Sequence, residues 1–129
     1  MKNRIMPEFD NNGLTKWYWR VLHHENLDLG ENTEIGSFTI IDAYKGIKIE
    51  NNVKIGFNCT ILSYSSIDGK SGKTILKENC KIGSGSIIMP GMNVGENSIV
   101  GANSFVNKDV PPNEVWVGSP AKFLKRVDD

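Results

Sequence analysis

Charge of one sign is missing from this 129-residue chain: fifteen Lys and Arg balance fifteen Asp and Glu. A balance of that kind gives no whole-molecule pull towards nucleic acid, and no nucleic-acid partner is expected. Long apolar runs are missing too, and none approaches the roughly 18 residues of a membrane-crossing helix. The opening MKNRIMPEFDNNG lacks the apolar core of a signal peptide. The expected location is therefore cytoplasmic, where thiols stay reduced. Cysteine is scarce, and Cys59 and Cys80 are expected as small core residues. Histidine is equally scarce. His23 and His24 are adjacent and cannot supply three spaced imidazole ligands, so no metal is expected. Gly72-Lys73-Thr74 has the ending of a phosphate-binding loop. The glycine required five positions earlier is replaced by Ile67, and no helix pattern follows.

What the chain has is a six-residue rhythm. With an aliphatic residue first, it reads LGENTE from Leu29, IGSFTI from Ile35 and IDAYKG from Ile41. It resumes as IENNVK, IGFNCT, ILSYSS and IDGKSG from Ile49, Ile55, Ile61 and Ile67, then as LKENCK from Leu76. IGSGSI, IMPGMN, VGENSI, VGANSF and VNKDVP follow from Ile82, Ile88, Val94, Val100 and Val106. No helical period fits six, and a flat strand would not restart at every sixth residue. A short strand and a corner, repeated, fits, and such a repeat is the mark of a β-solenoid. Three blocks make one triangular coil, and the thirteen blocks predict just over four coils. The first slot points inward, as does the small fifth slot, and Gly in the second relieves the backbone where the chain bends. Two slips, at 41–49 and 67–76, place extra residues in corners, the second in a polar turn over 68–73.

The register also predicts neighbours. Cys59 and Cys80 fall in the fifth slot of consecutive coils, in one column with Thr39 and Ser98. Tyr44, Tyr64, Gly85 and Asn103 fall along one outer corner. Open coil ends need caps. Residues 1–26 are expected as an N-terminal cap with a short helix over 14–22, and 27–129 as the β-helix domain with a C-terminal tail.

The hexapeptides followed by KDVPPNEVWVGSPAKFLKR carry a resemblance. The chain resembles the hexapeptide-repeat acyltransferases, and among them short members that acylate sugars in polysaccharide or nucleotide-sugar pathways. The resemblance covers about residues 27 to 126. It implies an all-β fold, a left-handed parallel β-helix, although the general crossover rule favours the right hand. It implies a homotrimer with acetyl-CoA in the groove between neighbouring helices. Carried over residue by residue, it points to Ser84, Gly101 and Ala102 along the pantetheine arm. It points to Asn107, Lys108 and Lys122 near the phosphates of the nucleotide end.

Acyl transfer needs a positioned thioester, an oxyanion donor and a base for the acceptor's proton. Family members often carry the base as a corner histidine, in an IGSHS-type block where this chain has IGSGS. Three explanations stand: His23 or His24, ahead of the first coil, reaches a neighbouring subunit's cleft; the acceptor is an amine that needs no histidine; or catalysis is lost and a binding or assembly module remains. Tyr44 and Tyr64, with a side-chain pKa of about 10, suit orientation or sugar stacking. Asp68 and Lys70, in the inserted loop, are the expected acceptor contacts.

Overall fold

The computed structural model describes residues 6–129. Its strands are short, because every corner interrupts them. They run β1 Arg20–Leu22, β2 Leu27–Leu29, β3 Glu34–Ile35, β4 Ile40–Asp42, β5 Ile47–Ile49, β6 Lys54–Ile55, β7 Thr60–Leu62 and β8 Thr74–Leu76. They continue as β9 Lys81–Ile82, β10 Ile87–Ile88, β11 Asn93–Val94, β12 Ile99–Val100, β13 Phe105–Val106, β14 Glu114–Gly118 and β15 Ala121–Arg126. Three sheets form the walls of a prism of about five turns. Face I is β1-β4-β7-β10-β13, face II is β2-β5-β8-β11, and face III is β3-β6-β9-β12-β14 closed by β15. Among the described residues the wall strands pair with one another in parallel, and of the named strands β15 alone pairs antiparallel, on β14. Val110 extends face II by a bridge to Val94.

The aliphatic first slots fill the prism. On face I the inward column is Val21, Ile41, Ile61, Ile88 and Val106, none more than 1% exposed. Burial of that sort stabilises by roughly 1.5–3 kcal/mol for each large side chain. The small fifth slots line the corners. Thr39 Oγ1 donates to Gly56 O at 2.9 Å and accepts from Cys59 N–H at 3.1 Å. Higher in that corner, Ser86 and Ser104 both donate to Gly101 O. These side chains are small enough for the narrow angle and polar enough to satisfy the buried backbone groups beside them.

Second-slot glycines have a different reason from the one expected. A Cβ on Gly83 would lie 2.4 Å from Ala102 N, and one on Gly36 2.6 Å from the Gly56 carbonyl carbon. They allow coils to approach, whereas the left-handed backbone sits mainly in the fourth slot. Asn32, Asn52, Asn58, Asn79, Asn97, Asn103 and Asn113 all have φ between 54° and 63°. Asparagine tolerates that region better than most residues.

Three expectations need correction. Ile67 is not a core residue but 95% exposed. Thr60 pairs with Ile87, twenty-seven positions on, against twenty between Ile40 and Thr60 and eighteen between Ile87 and Phe105. The long coil holds a hairpin arm over 63–73, in which Tyr64 bridges Ser71 antiparallel and Ser65 N–H donates to Lys70 O. Counting that arm as a wall shifted the columns by one. Cys59 therefore stacks with Thr39 and Ser86 in one corner, and Cys80 with Val53 and Ser98 in another. Both thiols are free and buried. Burial pushes the Cys80 thiol up to about 12, with the charge of Glu50 adding to it.

The third correction is the cap. No helix forms over 14–22. Leu14 bridges Arg20 antiparallel, Tyr18 has φ 68°, and Arg20–Leu22 is the first wall strand. Trp19 and Val21 are buried while Tyr18 and Arg20 are exposed, an alternation of two. The first coil thus begins inside the segment assigned to the cap. Phe9 packs edge-on against Trp19 and flat on His24, with ring centroids 4.6 Å apart in the stacked pair.

Candidate active site

The chain turns from face I to face II along one edge of the prism, here edge I/II. Three aromatic rings climb it. His23 lies 5.0 Å from Tyr44, centroid to centroid, and Tyr44 lies 5.3 Å from Tyr64 in an edge-to-face pair. His23 takes a left-handed backbone, φ 59° and ψ 53°, which turns its ring towards Tyr44. Its Nδ1 is 3.7 Å from Glu25 Oε1. Lys45 Nζ lies 4.5 Å from the Tyr44 ring centroid, within cation–π range. The expected Tyr44 and Tyr64 pair therefore shares an edge.

The hairpin arm leaves this same edge. At its turn Asp68 Oδ1 accepts from Lys70 N–H at 3.2 Å, and Lys70 Nζ lies 3.8 Å from Asp68 Oδ2. The Lys70 backbone N–H holds the Asp68 carboxyl below its ordinary value, helped by Ser65 and by the Lys70 charge. Asn107 and Lys108 stand higher on edge I/II, between β13 and the Val110 bridge, and both are exposed.

Ser84, Gly101 and Ala102 lie elsewhere. They occupy the corners between face III and face I, edge III/I, as do Gly85 and Asn103. The corner column expected to join Tyr44 and Tyr64 to Gly85 and Asn103 is therefore two columns. Ser84 and Ala102 are exposed one above the other, and Ser84 Oγ accepts from Phe57 N–H at 3.1 Å. Gly101 sits under Val117, where a Cβ would meet Cγ1 at 2.6 Å. Lys122 is on β15, opposite Val117. The six donor-binding candidates thus divide between two edges of face I and the terminal hairpin.

Sequence reasoning missed the lower half of edge III/I. Tyr18, Phe38 and Phe57 are 61%, 68% and 62% exposed there, with Tyr18 and Phe38 at ring centroids 6.4 Å apart. Both have φ near 67°, in the slot where other corners of this edge carry Asn58, Gly85 or Asn103. An aromatic residue in an asparagine slot was the available signal.

Known proteins share the repeat and the fold. Residues 73–108 match the model of the bacterial transferase hexapeptide of six repeats. Residues 27–63 match the hexapeptide repeat of succinyl-transferase. The gap between the two matches is the arm. The galactoside O-acetyltransferase of Escherichia coli strain K12 is 34% identical over 81% of this chain and 56% of its own length. The serine acetyltransferase of Buchnera aphidicola subsp. Schizaphis graminum is 35% identical over 81% of the chain and 40% of its own length. The chain spans about half the length of the curated relatives it matches. A hexapeptide-repeat acetyltransferase from Vibrio cholerae O1 biovar eltor, solved with acetyl coenzyme A, superposes with TM-score 0.81 and 27% identity. It covers 86% of this chain and 66% of that one. The likeness identifies the prism as the left-handed β-helix that the resemblance implied. With walls, corners and both repeat matches in agreement, the chain belongs to the hexapeptide-repeat acyltransferase family.

Proposed function

We propose that this chain moves an acetyl group from acetyl-CoA to a hydroxyl or amino group of a sugar or nucleotide sugar. It would act as a homotrimer, in the cytoplasm, in polysaccharide biosynthesis. The observation that carries the reading is the division of labour between the two edges of face I. Edge III/I is small and uncharged at Ser84 and Ala102, suited to a thin pantetheine arm. Edge I/II holds His23, Tyr44, Tyr64 and Lys45. The two edges meet only when a second copy is laid beside the first. The residues fit the donor: Lys108 on edge I/II and Lys122 on the hairpin are exposed cations for its phosphates.

In the reaction the acceptor oxygen or nitrogen attacks the thioester carbonyl, the carbon–sulfur bond breaks, and CoA leaves as the thiol. His23 takes the acceptor's proton, and the Tyr44 ring and Glu25 hold the imidazole in place. Corner N–H groups receive the developing oxyanion. Tyr64 orients the acceptor, and Asp68 with Lys70 grips its polar groups. A general base of this sort contributes about 10²–10⁴ in rate.

The test is thiol release from acetyl-CoA over a panel of amino sugars, nucleotide sugars and simple glycosides. His23→Ala should lower kcat at least about 100-fold, and Tyr64→Phe should act mainly on KM for the acceptor. A second reading, a binding or assembly module without turnover, draws on the position of the only two histidines, both on the first coil. Acetyl-CoA binding with no thiol release on any acceptor would select it.

A further inference from the structure

The lower end of the prism is closed on one side only. Under face I the turn over 13–20 caps β1: Val21 N–H donates to Gly13 O at 2.8 Å, and Leu14 bridges Arg20. β2 and β3 are the last strands of faces II and III, and among the described residues no strand pairs with their lower sides. A cavity of about 1070 Å³ opens there, between the first coil and segment 6–10. It stands at the upper end of the range of small-molecule sites, about 300–1,000 Å³. Its outer wall is pinned, because Phe9 packs edge-on against Trp19 and stacks on His24. None of the residues assigned above to acyl transfer lines it.

Three features of the lining restrict the ligand. The first is charge. Glu8, Asp10, Glu31 and Glu34 face a single ammonium, that of Lys16, so an anion is disfavoured and a cation favoured. Asp10 is engaged with the N–H groups of Asn12 and Leu14. The side chains of Glu8 and Glu34 have no hydrogen bond or ion pair among the described residues.

The second is aromatic surface. Trp17 lines the cavity and is 50% exposed. Lys16 Nζ lies 4.7 Å from its ring centroid, so the ring already meets an alkylammonium group in the way a ligand cation would. A bare metal ion would make no use of this wall. The third is the pair of open strand edges, which Leu29 of β2 and Ile35 of β3 bring to the cavity. An unpaired edge offers backbone donors and acceptors side by side. Hydroxyl groups both donate and accept, and they match such an edge without regard to its order.

We infer that the base of the prism binds an amino-sugar oligosaccharide. The apolar face of a pyranose lies on Trp17, ammonium groups meet Glu8 and Glu34, and hydroxyls meet the lower edges of β2 and β3. The site holds a saccharide chain away from both edges of face I and without help from acetyl-CoA.

Equilibrium dialysis of the intact protein against a tritiated glucosamine tetramer, with no acetyl-CoA present, tests it. Binding should saturate and weaken as salt is raised. The N-acetylglucosamine tetramer lacks the ammonium groups and should bind at least about tenfold more weakly. Trp17→Ala and Glu34→Gln should each weaken the glucosamine tetramer about tenfold, with the far-ultraviolet dichroism unchanged. His23→Ala should bind it as the unaltered protein does. No binding, or equal binding of the acetylated tetramer, overturns the inference. Unchanged affinity in both base variants, or loss of binding in His23→Ala, overturns it by placing the tetramer elsewhere. Failure here leaves the transfer reading standing, and absence of thiol release leaves this site standing.

Discussion

Edges III/I and I/II are built on the same backbone repeat and do opposite things with it. On edge III/I consecutive coils nearly touch: Gly36, Gly56, Gly83 and Gly101 each leave less than 3 Å for a Cβ. On edge I/II the chain opens outward, and a Cβ on Gly69 of the arm would meet nothing within 4 Å. The first edge is fixed by packing and can only present what stands above the glycines. The second is free to vary, and there the chain has placed its histidine, two tyrosines, its arm and several lysines. A scaffold that spends its close contacts on one edge can change chemistry on the other without disturbing its walls.

The sharpest way to break that contrast is Gly83→Val. The new side chain would drive into Ala102 backbone with no flexible atom to yield, and overpacking of that severity costs about 3 kcal/mol or more. Chemical denaturation should show the loss, whereas Gly69→Ala on the arm should cost only its left-handed backbone, about 1 kcal/mol. Equal effects would mean that the two edges are not built differently.

A smaller and opposite effect is expected at Phe38. Phe38→Asn restores the residue type that fits φ 67° and should stabilise the isolated chain by about 1 kcal/mol. The same variant should weaken self-association, measured by sedimentation at falling concentration. Stabilisation without loss of association would leave the strained aromatic unexplained.

The smallest effect concerns pH. Asp68 has its folded pKa lowered by the Lys70 N–H. Its contribution is therefore present above the ordinary carboxylate range and is lost as pH falls through the lowered value. Because the group is exposed, the global stability should barely move. Protection of the Lys70 amide against exchange, taken relative to the intrinsic rate at each pH, should fall at acid pH in the unaltered protein and be absent at all pH in Asp68→Asn. Protection insensitive to pH in the unaltered protein would show that the turn does not depend on the carboxylate.

The walls were legible in the sequence because an inward aliphatic column demands one large apolar residue at every strand. Ile41, Ile61, Ile88 and Val106 all point inward as six-residue counting required, although counting set Ile88 and Val106 in a different column from Ile41 and Ile61. Ile67 shows the limit of counting. It stands six residues after Ile61 and satisfies the rhythm by spacing, yet the local pairing of Tyr64 with Ser71 takes the chain out of the prism. Spacing records what a core wall would need, and a hairpin can mimic it by accident. From that one miscount came the false pairing of Cys59 with Cys80 and of Tyr64 with Gly85. The N-terminal segment misled for a related reason. Leu14, Trp17 and Val21 suit a helix by spacing, but the bridge to Arg20 favours the turn. At the candidate site, the Tyr44 and Tyr64 pair was readable from register. The grouping of His23 with them was not, since it depends on a corner backbone outside the repeat.

The twenty-seven-residue coil sits between coils of twenty and eighteen with every wall strand still in register. Segment 65–70 therefore behaves as a removable cassette. Foreign sequences of varied length should be accepted at that point as display loops on an otherwise unaltered prism.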